Sequence, residues 1–159
     1  MGRVVSQDQL REHLTRARAE GKSIVFTNGC FDLLHVGHVR YLQEARTLGD
    51  LLVVGVNADS SVRNLSKGPD RPLLPDSQRA EVLAALACVD YVTIFNEPDP
   101  LRLILDVQPS VLVKGGDWSP DRIVGREIVE QRGGRVVSIP LVPDISTTTI
   151  VRRIRGQSS

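Results

Sequence analysis

The 159-residue chain carries 20 basic and 19 acidic residues, and a formal net charge of +1 lacks the electrostatic footprint of a nucleic-acid binder. Aromatics are 4% of the chain, too few to stack bases; no apolar run approaches the ~20 residues of a membrane span, and charges run through 1–18 where a signal peptide needs an apolar core. The two cysteines, Cys30 and Cys88, make neither a disulfide framework nor a zinc cluster, so the expectation is one cytoplasmic domain with chain enough to bury a core.

Ser6 and Gln9 fit a capping box, with Leu10, Leu14 and Ala17 behind it on one helical face. This predicts an N-terminal helical segment, 1–22, packed on a domain of 23–155, with 156–159 as a tail. The first strand is expected at 23–27. Val39, Leu42, Ala45 and Leu48 then recur at helical spacing, with Gly49 as the stop. A second strand at 51–56 precedes a helix marked by Val82, Leu83 and Leu86, with Asp76 as its cap. A third strand follows at 89–95. Asp99-Pro100 is a helix start, with Leu101, Ile104 and Leu105 as the buried stripe. A strand at 111–113 leads to a second such start at Ser119-Pro120, stopped by Gly133-Gly134. The last strand, 136–141, is followed by a helix capped by Ser146, with Ile145 and Ile150 placed for a staple.

The strand runs are near-continuously apolar, as in parallel strands covered on both faces. Their alternation with helices predicts an α/β fold with a doubly wound, parallel, five-stranded sheet. Ligands in such sheets bind beyond the carboxyl ends of the strands. The unusual residues fall there: Asn28-Gly29-Cys30, Asn57-Ala58-Asp59 and Lys114-Gly115-Gly116-Asp117.

The segment from Thr27 to His38 runs from a strand end through a tight turn into a helix start. His35 and His38 are three apart, so one helical turn brings them to one side. Gly37 between them leaves room for a phosphate at the backbone. The helix start, with its dipole, favours an anion. Imidazole near its own pKa can donate to charge developing on phosphorus. Two other readings stay open on the residues alone: two polar histidines at a helix start, and a His-x-x-His zinc site lacking its further ligands.

Gly29-Cys30-Phe31-Asp32 through His35-Val36-Gly37-His38 resembles the signature of the HxGH nucleotidyltransferases, a cytidylyltransferase-like superfamily with a Rossmann-like sheet. The resemblance runs from Ile24 to Ile154. It implies His35, His38 and Lys67 as catalytic residues, Lys67 acting on the α/β-phosphates from a Gly-Pro loop, with Arg71 as a weaker phosphate ligand. It places Gly29, Cys30, Phe31, Gly37, Gly116, Asp117, Ser146, Thr147 and Thr148 beside the nucleotide. Within this set Asp117 is the ribose candidate, Phe31 offers its backbone, and Cys30 packs in the turn. Lys114 is a phosphate candidate for either substrate. Asn28, Asp32 and Asn57 are candidates for the sugar-phosphate side. Trp118 reads as a packing residue under its loop, and Arg79 as a partner for an acid or a phosphate. No protein ligand for a metal is assigned; Mg²⁺ is expected with ATP.

Departures narrow the choice. Cytidylyltransferases for glycerol phosphate and choline phosphate carry Arg-Tyr-Val-Asp, where this chain has Ala87-Cys88-Val89-Asp90. They carry Arg-Thr-Glu-Gly before Ile-Ser-Thr, where it has Leu141-Val142-Pro143-Asp144. The Lys67–Pro72 loop, Val111–Asp117, Val124–Val129 and Gly133–Val136 instead resemble the adenylyltransferases of ADP-heptose synthesis. That implies ATP and D-glycero-β-D-manno-heptose 1-phosphate as substrates, in lipopolysaccharide core synthesis. Many such enzymes are fused to a sugar kinase. At this length the chain resembles the free-standing form, with a separate heptose kinase upstream. The resemblance also implies a homo-oligomer.

Overall fold

The computed structural model describes residues 1–65, 70–116 and 118–157. Six parallel strands form one sheet: β1 (Arg3–Val4), β2 (Ile24–Gly29), β3 (Leu51–Asn57), β4 (Tyr91–Phe95), β5 (Val111–Gly115) and β6 (Arg135–Ile139). Their order is β1-β4-β3-β2-β5-β6. The chain therefore winds outward from β2 through β3 and β4, then restarts at β5 on the other side of β2. The β2/β5 junction is the topological switch point, where the connecting loops diverge and leave a crevice.

The sheet is doubly wound as expected, with one strand more than the five predicted. The addition is β1, whose two residues pair with Tyr91 and Val92. Two residues carry no periodicity, so the pattern cannot reveal it. Gly2 makes the approach possible, since a Cβ there would stand 2.5 Å from the Val89 carbonyl oxygen.

Helices cover both faces. Helix α1 (Gln7–Ala19) begins with the predicted capping box between Ser6 and Gln9 and buries Leu10, Leu14 and Ala17. Helix α2 (Val36–Arg46) buries Tyr41, Leu42 and Ala45. Two short helices, α3 (Asp59–Asn64) and α4 (Asp76–Ala84), lie between β3 and β4. Helix α5 (Leu101–Val107) precedes β5, α6 (Arg126–Gln131) precedes β6, and α7 (Thr147–Ile154) follows it. Val25, Val54, Val111 and Val113 join α2 and α4 in one apolar layer. Ile24, Phe26, Val53 and Leu112 join α1, α5 and α6 in the other.

Several predicted details change. In α5 the buried residues are Leu103, Ile104 and Val107, while Leu101 and Leu105 stay partly in solvent. In α4, Val82 is exposed and Arg79, Ala80, Leu83 and Ala84 face inward. The segment from Ser119 to Gly133 is not one helix. It is a 3-10 turn at Pro120–Arg122 and then α6, interrupted at Gly125, whose φ of 85° leaves the right-handed helical region. The last strand stops at Ile139, because Pro140 has no N–H for the ladder. Among the described residues no helix is long and apolar enough to cross a membrane.

Candidate active site

A cavity of about 480 Å³ opens beyond the carboxyl ends of β2 and β5. Its floor is the end of β2 and the turn after it: Asn28, Gly29, Cys30, Phe31 and Asp32 line it. The first turns of α2 and α7 form its walls, with His35, Gly37 and His38 on one and Ser146, Thr147 and Thr148 on the other. Two stretches far apart in sequence, 28–38 and 146–148, thus meet at one cavity.

The histidines are in contact. His35 occupies the N-cap position of α2 in extended conformation, and its side chain caps nothing. Its ring folds back over the first turn and stacks on His38, with centroids 3.9 Å apart and planes inclined by 26°. Gly37 has a specific reason: a Cβ there would lie 2.9 Å from His35 Nδ1. The space read in the sequence as room for a phosphate is in part the seat of His35's own ring. Burial lowers the His35 pKa and so favours a neutral imidazole. Its buried Nδ1 finds no hydrogen-bond partner among the described residues.

Phe31 supports the pair from below. Its backbone sits at φ 47°, in the left-handed region that non-glycine residues seldom occupy. That turn brings its ring 5.3 Å from the His38 ring and against Gly29, where a Cβ would lie 3.0 Å from it. Backbone strain at such a turn persists only where packing holds it.

Asp32 and Arg71 both line the cavity but face each other. Asp32 is buried, and its carboxylate accepts from Arg71 at 2.7 Å and from the Leu73 and Leu74 amides. The pair fastens the segment before α4 to the turn after β2. Arg79 completes the fastening from α4. Its fully buried guanidinium donates to the carbonyls of Cys30, Asn57 and Leu74 and pairs with Asp59 at 2.8 Å. Of the two partners expected for Arg79, it takes an acid.

Lys114 reaches across the switch point and donates to Asn28 Oδ1 at 2.5 Å; Asn28 lines the cavity and Lys114 lies behind it, off the wall. Burial pushes its pKa down to about 8. Asn57 is buried behind the site, its amide donating to Ser61, and it does not reach the cavity wall. Gly116 also lies outside the wall, facing Leu141 and Trp118. Lys67 and Asp117 lie outside the described residues. Trp118 is about half exposed rather than packed under its loop, with its indole N–H donating to the Gly115 carbonyl.

The sequence did not single out Tyr41 and Val62 as cavity residues; Gly115 stood among the strand-end residues, Leu141 and Val142 only as departures from the cytidylyltransferases, and Ile145 as a staple beside the Ser-Thr segment, and all four line the cavity. Tyr41 shares a 2.6 Å hydrogen bond with Thr27, and burial raises its pKa to about 12. Leu141 was expected in a strand. It instead leans over Gly115, where a Cβ would come within 3.0 Å of it. For Tyr41 the one available signal was the helical face it shares with Leu42 and Ala45. Among the described residues no three His, Cys, Asp or Glu side chains gather into a metal site, so the His-x-x-His zinc reading gains no further ligands.

The chain belongs to the cytidylyltransferase-like family, whose model matches residues 26–153 and so encloses the whole cavity. Its class is that of the nucleotidyltransferases. Within that class it is 58% identical over 156 residues to the bifunctional protein HldE of Geotalea uraniireducens, covering 98% of this chain and 32% of that protein. It is 57% identical over 148 residues to the bifunctional protein HldE of Syntrophotalea carbinolica, covering 93% and 30%. The chain thus spans about a third of the length of these curated relatives. A lipopolysaccharide core biosynthesis protein from Thermoplasma volcanium superposes with a TM-score of 0.64 at 31% identity, over 77% of this chain and 98% of that one. The pantothenate synthetase of Thermus thermophilus shares the fold, with a TM-score of 0.66 at 20% identity over 97% and 69% of the two chains.

Proposed function

We propose that the chain transfers AMP from ATP to D-glycero-β-D-manno-heptose 1-phosphate, giving ADP-heptose and pyrophosphate. The observation that carries this reading is the stacked His35–His38 pair at the start of α2, facing the start of α7 across a cavity of nucleotide size. The departures from the cytidylyltransferases favour ATP. Leu141 and Val142, which replace their Arg-Thr pair, line the cavity itself and present apolar surface there.

A phosphate oxygen of the sugar 1-phosphate attacks the α-phosphorus of ATP in line. The new P–O bond forms as the bond to the β-phosphate bridging oxygen breaks, and pyrophosphate departs with that electron pair. Negative charge collects on the α-phosphate oxygens, where preorganised donors stabilise it more than they stabilise the ground state. His38 and the first amides of α2 supply those donors, and His35 donates beside them. Two cationic rings 3.9 Å apart would repel, and burial favours the neutral form of His35. Catalysis is positioning plus electrostatics, and Cys30 forms no covalent intermediate.

Mg²⁺ would come with ATP, held by water and the substrate phosphates, and would supply charge neutralisation there. Asp32 already holds Arg71 and is committed to that pair. Lys67 remains the proposed lysine of the polyphosphate, and Asp117 the proposed ribose ligand. A kinase acting on the sugar's anomeric hydroxyl supplies the acceptor, the enzyme works in the cytoplasm where ATP is made, and it associates with copies of itself. Incubation with ATP, Mg²⁺ and heptose 1-phosphate should give ADP-heptose by mass and stoichiometric pyrophosphate. Faster turnover with CTP, or pyrophosphate only with another acceptor, would overturn the reading.

A further inference from the structure

Successive side chains of a strand point to opposite faces of the sheet. In β2 and β5 the odd positions Val25, Val111 and Val113 lie in the α2 layer, where Thr27 also meets Tyr41. The even positions Ile24, Phe26 and Leu112 lie in the layer of α1, α5 and α6. Phe26 pairs in register with Leu112, so two residues further on Asn28 stands beside Lys114, both on that second face. Their hydrogen bond therefore closes the floor of the cavity, where Asn28 lines the wall with the histidines and Lys114 stands behind it.

The charges around the site separate in the same way. Arg71 is neutralised by Asp32 and Arg79 by Asp59. Lys114 has no ion pair among the described residues; its one hydrogen bond is to the neutral Asn28. A cation buried with only an amide for company gains from an incoming anion. In-line displacement adds a direction. With the polyphosphate at the starts of α2 and α7, the attacking oxygen arrives from the opposite side of the α-phosphorus.

We propose that Lys114 and Asn28 form the acceptor subsite, the ammonium binding the phosphate monoester of the sugar 1-phosphate and the Asn28 amide orienting it. This rests on the nucleotidyl-transfer reading above. It assigns Lys114 to the second substrate and leaves the nucleotide to the α2 face. Burial lowers the Lys114 pKa, as expected for a site built to be neutralised by its ligand.

The test uses the full chain saturated with α,β-methylene-ATP, which fills the nucleotide site and cannot transfer AMP. Inorganic phosphate is titrated in and its binding followed by calorimetry, for wild type, Lys114→Met and Asn28→Ala. Lys114→Met keeps the apolar stem, and Asn28→Ala is a second route if that variant folds poorly. Phosphate affinity should fall by about tenfold or more in Lys114→Met, a loss of one charge-assisted contact. In steady state with ATP and heptose 1-phosphate, the acceptor KM should rise by at least about the same factor while the ATP KM stays within about twofold. Absent phosphate binding in wild type, unchanged affinity in Lys114→Met, or an ATP KM that rises with the acceptor KM would each overturn the subsite. If wild type makes no ADP-heptose yet Lys114→Met loses phosphate, the subsite stands and the identity of the sugar falls.

Discussion

Two buried polar clusters meet at the turn after β2, and they are built on opposite terms. Around Arg79 every group is matched: a guanidinium against three carbonyls and the Asp59 carboxylate. Around His35 and Lys114 the matching is incomplete. The His35 Nδ1 is buried without a hydrogen-bond partner among the described residues, and Lys114 has only an amide oxygen. Buried polar groups are normally satisfied because leaving them otherwise costs free energy. The matched cluster therefore holds the loops in place, and the unmatched groups are those the proposed function assigns to the substrates. Asp32 belongs with the first, though the sequence placed it with the second.

Removing the centre of the matched cluster should have the largest effect. Arg79→Met strands the Cys30, Asn57 and Leu74 carbonyls and leaves Asp59 without its partner. Breaking such a buried pair costs about 3–5 kcal/mol, and urea unfolding should show a loss of that order. A change below about 1 kcal/mol would mean that water readily replaces the guanidinium and that the cluster is not a structural knot.

His38→Ala should behave in the opposite manner. Stability should hardly move, because the side chain stands at the cavity. Turnover should fall roughly 10²–10³-fold, the usual loss for one preorganised donor. Near wild-type turnover with a lowered melting temperature would reverse the comparison and make the histidines the structural cluster.

Lys114→Met sharpens the contrast through pH. The amine is held to a pKa of about 8 in the fold against an ordinary value of 10.5. Below pH 8 both folded and unfolded chains carry the proton, and the cost of burying the charge is fully present. Between pH 8 and 10.5 the unfolded chain binds more protons, so wild-type stability from this group rises with pH. The methionine variant lacks that dependence. It should therefore be more stable by about 1–3 kcal/mol at pH 7, with the advantage fading by pH 10.5. Denaturant midpoints across that range would check it. A variant less stable at every pH would show that the ammonium supports the fold.

How much of this was legible depended on how locally each feature is encoded. The helix starts at Ser6 and Ser146, the five longer strands and the histidine turn are written in neighbouring residues, and each formed. The Asp32–Arg71 and Arg79 contacts link residues 39 and 49 positions apart, and nothing at either end names the other. The same holds for Leu141. Its apolarity suits a strand, and Pro140 rather than Leu141 decides where the strand stops. Lys114 stood out at a strand end, in Lys114-Gly115-Gly116-Asp117, as a phosphate candidate for either substrate. Its face on the sheet, which separates it from the histidines, follows from a register that no single strand reveals.

The smallest expected effect concerns the α7 wall. Ser146 Oγ accepts from the Thr149 amide, and loss of such a cap costs about 1 kcal/mol. None of the helix residues is buried, so that cost need not reach the global transition. It falls on the local equilibrium between ordered and frayed α7, which opens without disturbing either apolar layer. Thr147 ties the same turn to the Leu33 carbonyl, and fraying would release that tie as well. Ser146→Ala should therefore leave the melting temperature almost unchanged and raise the ATP KM by roughly fivefold, which is 1 kcal/mol at 25 °C. Hydrogen exchange confined to Thr147–Ile154 should quicken with it. A lower melting temperature with an unchanged KM would place α7 in the scaffold with Arg79 and leave the nucleotide wall to α2 alone.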